Sequence, residues 1–186
     1  MVPLAALWLP ILLSAVFVFV ASSIINMAGL WHKNDYPRVP DEERLRAALR
    51  PLALPPGDYM VPRAQGREEM QSPAFQTRVN EGPNLMLTVL PNGPWSMTRS
   101  LMQWFVYLVL ISLFAGYVAG RALPPGSDYL DVYRFAGTTA FLSFSVALWQ
   151  MSIWYRRAWS STVKATFDGL IYALLVGGTF GWLWPR

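Results

Sequence analysis

The sequence predicts a mainly α polytopic membrane protein, with four transmembrane helices and a small α+β cytoplasmic loop between the first and second. Three observations predict it. No formal charge lies between Met1 and Trp31, and the apolar stretches after residue 99 carry only Arg134 and Asp168. The remaining charges crowd into residues 32–99 and into short flanks rich in arginine and tryptophan. Apolar residues make up 54% of the chain, enough to supply several long runs. A charge at the bilayer centre costs about 3 kcal/mol on insertion scales, and a spanning helix needs roughly 20 apolar residues, so uncharged runs of this length read as lipid-spanning.

The first span covers about residues 7–30 and is followed at once by Trp31, His32 and Lys33, an aromatic and charged interface. It has no Lys or Arg before Lys33 and runs well beyond the apolar core of a secretory signal, so it reads as a retained helix. The second, about 101–120, starts after Arg99 and stops before Leu123-Pro124-Pro125-Gly126. The third, about 133–155, is closed by Arg156-Arg157, and the fourth, about 165–183, ends at Trp184-Pro185-Arg186. The whole chain, 1–186, reads as one membrane unit.

Residues 32–99 read as a cap. Asp41 before Glu42-Glu43, with Arg44, Arg46 and Arg50 following, has the N-cap, acidic first turn and basic last turn of a helix over about 41–50. Ser72-Pro73 opens a second short helix and Gly82-Pro83 closes it. Tyr59-Met60-Val61 and Leu85 to Leu90 read as paired strands, and the polar stretch Arg63 to Gln71 between them as mobile chain.

Thirteen of the fifteen basic residues are arginines. Nine Lys or Arg lie in the loop after the first span, and Arg156, Arg157 and Lys164 in the loop after the third; the opposite side holds only Arg121, Arg134 and Arg186. The positive-inside rule then predicts a cytoplasmic 32–99 loop and both termini outside. The net charge of +4 is this orientation signal and not a nucleic-acid footprint.

The absence of cysteine removes disulfides, thiolate catalysis and thiolate metal sites, and a single histidine rules out a multi-histidine metal centre within this chain. No phosphate loop, nucleophile elbow or paired catalytic acids occur, so no catalytic residue, metal ligand or cofactor is assigned. Asn26, Gln103, Gln150 and Asp168 interrupt the spans at about the same depth from the basic interface. One reading is a cytoplasm-facing pocket for a polar headgroup, quinone or ion, with Asp168 ionisable. The other, which the sequence favours, is structural: the amides join helices and Asp168 pairs with Lys164 or Arg157. His32-Lys33-Asn34-Asp35 is the one place where imidazole and carboxylate adjoin, and it reads as a helix-end group meeting headgroups and the helix dipole. Small residues four apart, Gly116 and Gly120 with Ala115 and Ala119, and then Ala173, Gly177 and Gly181, mark helix-packing faces.

The run Phe167-Asp168-Gly169-Leu170-Ile171-Tyr172-Ala173-Leu174-Leu175-Val176-Gly177-Gly178-Thr179-Phe180-Gly181-Trp182-Leu183-Trp184-Pro185 resembles that of a family of bacterial four-helix integral membrane proteins with no known activity, and the resemblance extends over most of the chain. It implies a bacterial inner-membrane protein and nothing about chemistry. The function expected from these features is a non-catalytic accessory or assembly subunit of a larger membrane complex, in contact with lipids and with a membrane protein partner or a second copy. The alternative is a small transporter or a lipid- or quinone-binding protein that uses the polar layer.

Overall fold

A computed structural model describes residues 1–186. In chain order the elements are α1 (Trp8–Met27), α2 (Glu42–Leu49), β1 (Gly57–Val61), α3 (Arg67–Gln71), α4 (Pro73–Glu81), β2 (Leu85–Val89), α5 (Met97–Ala122), α6 (Tyr129–Phe144), α7 (Trp149–Ile153) and α8 (Trp159–Trp182). They fall into two units, Met1–Tyr36 with Ser96–Arg186, and Pro37–Trp95.

In the first unit α1 packs on α5 and α8, and α6 packs on the same two helices, so the four run α1, α5, α6, α8 around a bundle. Three helical stretches, Leu4–Met27, Met97–Ala122 and Trp159–Trp182, are long and apolar enough to cross a membrane. Their large apolar residues point outward: Leu9, Leu12, Val16, Val20 and Ile24 on α1, and Val106, Leu110 and Phe114 on α5, are exposed. The interior is built largely from small residues, with Ala15, Ala115, Ala119, Ala136 and Ala140 fully buried. That distribution suits helices surrounded by hydrocarbon, where close backbone approach rather than burial of large side chains drives association.

The small-residue faces sit at these contacts. A Cβ on Gly177 would lie 2.8 Å from the Tyr133 carbonyl oxygen and 3.2 Å from Gly137 Cα, and one on Gly181 would lie 2.7 Å from the Tyr129 ring. Ala173 is buried on the same face of α8. On α5, a Cβ at Gly116 would stand 3.0 Å from Phe180 Cε1, and one at Gly120 would stand 2.8 Å from Val2 O. Val2 N donates to Gly120 O at 2.8 Å, so the chain start is hydrogen-bonded to the end of α5.

The third apolar segment departs from the expectation of one helix over about 133–155. α6 has 16 residues, about 24 Å at ~1.5 Å per residue, and stops at Ser145 (φ −118, ψ −53); a single 3-10 turn, Val146–Leu148, and then α7 follow. Polar side-chain contacts tie the interrupted segment to α8. Ser145 Oγ donates to Thr166 O at 3.3 Å, Trp149 Nε1 to Thr166 Oγ1 at 3.0 Å, and Ser152 Oγ and Thr162 Oγ1 lie 2.7 Å apart. Gly169 provides the space for the break, since a Cβ there would collide with Ser145 Oγ.

The second unit has the caps and strands expected from its sequence. Asp41 accepts from Arg44 N at 2.9 Å, and Ser72 Oγ accepts from Phe75 N at 3.2 Å at the start of α4. β1 and β2 pair antiparallel with Gly57 opposite Val89, Tyr59 opposite Leu87 and Val61 opposite Leu85. The stretch expected to be mobile is helical in its second half, as α3. Glu69 holds it, accepting from Gln65 N at 2.8 Å and from Arg78 Nη2 at 2.7 Å. Phe75 is the one buried large apolar side chain of this unit.

Candidate functional site

α1 ends at Met27, three residues before the expected limit, and the chain turns through Gly29 at φ +59, a left-handed conformation that glycine adopts without a Cβ penalty. The turn brings Trp31 and His32 back against α8. The Trp31 ring meets the Phe167 ring edge-on at 5.4 Å, and its Nε1 donates to Asp168 Oδ1 at 2.8 Å. A second turn, in which Asp35 N donates to His32 O at 3.0 Å, places Asp35 beside the imidazole.

His32 therefore sits between two carboxylates. Its Nδ1 lies 2.7 Å from Asp35 Oδ2 and its Nε2 lies 2.7 Å from Asp168 Oδ2. Lys164 Nζ, one turn before Asp168 on α8, donates to Asp35 Oδ1 at 2.7 Å. A neutral imidazole carries one N–H and one lone pair and can donate to only one of these acids; the imidazolium donates to both. With His32 charged, two cations face two anions and the chain Lys164–Asp35–His32–Asp168 is neutral as a whole. Both oxygens of each carboxylate accept a hydrogen bond, and no buried side-chain nitrogen or oxygen is left without a partner.

Burial pulls the His32 pKa down, but the hydrogen bonds to Asp35 and Asp168 and the charges of both acids outweigh it, so the group is held above its usual 6.5. Asp35 is held below the usual carboxylate value by the hydrogen bond from His32 first and that from Lys164 second. Because both imidazole nitrogens are engaged, His32 in this arrangement has no free lone pair to act as a general base.

This network forms one wall of a cleft of about 450 Å³. Trp104, Tyr107, Phe144 and Tyr172 make an aromatic lining, and Asn26, Arg157 and Tyr36 contribute polar groups. The aromatic wall is itself packed edge to face, with Phe144 5.4 Å from Tyr172 and 6.1 Å from Tyr107. Trp104 is oriented by its indole, which donates to Ser22 Oγ at 2.9 Å. Asn26 spends its amide nitrogen on Ser22 O at 2.8 Å, which leaves its carbonyl oxygen without a protein partner. Arg157, half-buried after the left-handed residue Arg156 (φ +56), has no ion-pair partner.

Of the four polar positions expected to form a layer, Asn26 and Asp168 share this cleft. Gln103 and Gln150 are exposed and line no part of it. Asp168 pairs with neither Lys164 nor Arg157: at i,i+4, Lys164 reaches past it to Asp35, and the indole and imidazole folded back from α1 occupy the carboxylate. His32 is likewise no headgroup-facing end group, since its side chain is only 18% exposed and both nitrogens are engaged. Sequence reasoning found Asp168 and noticed His32 beside Asp35, but it missed their union. The available signal was Gly29, which lets the chain after α1 reverse onto α8. Compared with protein-family models, curated proteins and solved structures, the chain matches none.

Proposed function

We propose that this is a bacterial inner-membrane protein with four spans, in which the cleft beside His32 binds a small amphiphilic ligand. The broken segment of α6 and α7 would complete the set of spans, with residues 32–99 cytoplasmic and both termini outside, as the distribution of arginines favours. The observation that carries the ligand reading is the hydrogen-bonded chain Lys164–Asp35–His32–Asp168, set along one wall of an aromatic cleft. Ionisable groups are costly near the membrane interior and concentrate where a pathway or binding cavity needs them. Pockets for small molecules combine apolar and aromatic walls with a few fixed polar groups, the composition found here.

Native mass spectrometry of the protein extracted in a neutral detergent tests this. A retained small-molecule adduct is expected, and it should be lost in Leu148→Trp, which fills the cleft, while the variant keeps its helical circular-dichroism signal. Absence of any adduct after addition of a total bacterial lipid extract would overturn the reading. A role as an accessory subunit rests on the lack of catalytic motifs, and the geometry adds nothing specific to it; crosslinking in intact membranes, followed by recovery of a larger assembly, would favour it.

A further inference from the structure

We infer that the ligand is an anionic amphiphile, an apolar chain carrying a singly charged oxyanion headgroup, with Arg157 as the partner of the anion; this rests on the ligand reading above. The charges on the cleft do not cancel completely. With His32 protonated, Lys164, His32, Asp35 and Asp168 neutralise one another through direct contacts of 2.7 Å, which leaves Arg157 as a single uncompensated cation on the lining. An arginine with no carboxylate partner, half-buried on the wall of a cleft, offers a planar fork of donors matched to a phosphate or carboxylate. Quinones and other neutral ligands would leave that charge unanswered.

The rest of the lining fits the apolar part. Trp104, Tyr107, Phe144 and Leu148 present ring and aliphatic surface, while Asn26 Oδ1, an acceptor without a protein partner, suits a headgroup hydroxyl. The His32 network offers the anion no free donor: both imidazole nitrogens and the Asp35-bound lysine are already engaged. Its part is to keep two acids from repelling the headgroup, since removing either cation would expose an uncompensated carboxylate to the cleft. Headgroup chemistry of this kind occurs both in membrane phospholipids and in soluble phosphate esters, and the tail-binding wall distinguishes them.

Full-length protein in neutral detergent is titrated with dioleoyl phosphatidylglycerol, with dioleoylglycerol, which has the same chains and no oxyanion, and with glycerol 3-phosphate, and bound species are counted by native mass spectrometry. Phosphatidylglycerol is expected to bind at one saturable site, at least tenfold more tightly than dioleoylglycerol, with glycerol 3-phosphate also weaker than phosphatidylglycerol. A charge-assisted hydrogen bond sets that scale. Arg157→Gln should remove the preference and Arg157→Lys should restore part of it, while Leu148→Trp should block both lipids by filling the cleft. Equal binding of the two lipids, unchanged by Arg157→Gln but blocked by Leu148→Trp, would overturn the anionic assignment and leave the cleft as a neutral-ligand site. Binding unaffected by both variants would overturn the cleft reading itself. Glycerol 3-phosphate binding as tightly as phosphatidylglycerol would show that the chain contributes nothing and would overturn the amphiphile.

Discussion

Removing the Asp168 carboxylate tests whether the network is a unit or a set of incidental contacts. Asp168→Ala deletes two hydrogen bonds, from Trp31 Nε1 at 2.8 Å and His32 Nε2 at 2.7 Å, and strips His32 of one of its two counter-charges. Hydrogen bonds to charged groups contribute about 1.5–3 kcal/mol each, and breaking a buried ion pair from one side costs about 3–5 kcal/mol. The Asp168 side chain is 10% exposed and that of His32 18%, so most of each is screened from water and a loss of about 3 kcal/mol is expected. For a chain of this size that corresponds to a melting temperature lower by roughly 6–12 °C. Asp168→Asn keeps an acceptor for one donor and should lose about half as much. In a double-mutant cycle with His32→Ala, the coupling should be about 2 kcal/mol, because the second substitution removes a partner already lost. Thermal unfolding in detergent, followed by tryptophan fluorescence and repeated at two scan rates, supplies the numbers. Additive losses, or an Asp168→Ala variant as stable as the parent, would refute the idea that the four groups act together.

Stability should also depend on pH in a definite direction. Because the folded His32 pKa lies above its usual 6.5, its contribution is complete below that value and is lost as pH rises through the elevated one; His32→Gln should flatten this alkaline limb in a melting series from pH 6 to 9. Asp35, depressed from 3.8, contributes above that value and loses its contribution as pH falls through the lower one, so Asp35→Asn should flatten the acid limb. Gly177→Ala should cost about 1–3 kcal/mol, since its Cβ would meet Tyr133 O at 2.8 Å, whereas neighbouring Gly178→Ala, whose nearest contact would be Tyr129 Oη at 3.5 Å, should be tolerated. The chain has no cysteine, so single substitutions at Ala64, Ser160 and Ser127 report topology without background: a membrane-impermeant thiol reagent applied to intact cells should label only the Ser127→Cys variant, and labelling of Ala64→Cys instead would invert the proposed orientation.

What could be read in advance was what depends on local composition. Uncharged runs located α1 and α5 to within about one turn and α8 at its C-terminal end, although α8 starts at Trp159 and takes in Lys164, which reads as loop in the sequence; the Asp41 and Ser72 caps located α2 and α4, because caps and hydropathy act over a single turn or a single span. The break at Ser145 was not legible, since nothing in Ser143-Phe144-Ser145-Val146 forbids helix. It is stabilised by Thr166 O and by the missing Cβ of Gly169, more than twenty positions away. The network escaped for the same reason. Asp168 has a lysine at the spacing that normally pairs on a helix, but a tryptophan and a histidine some 136 positions earlier reach it first. Residues Gln103 and Gln150 show the opposite failure, since a common depth along the helix axis does not fix a common direction around it.

His32 is the only histidine in the chain, so protein labelled with nitrogen-15 at histidine gives one pair of imidazole signals, free of overlap. At pH 6 in detergent both nitrogens should show the signature of a protonated imidazolium hydrogen-bonded on both sides, and both should move when phosphatidylglycerol is added. A neutral ring with one unprotonated nitrogen, unmoved by the lipid, would contradict both the two-carboxylate clasp and the ligand cleft it borders.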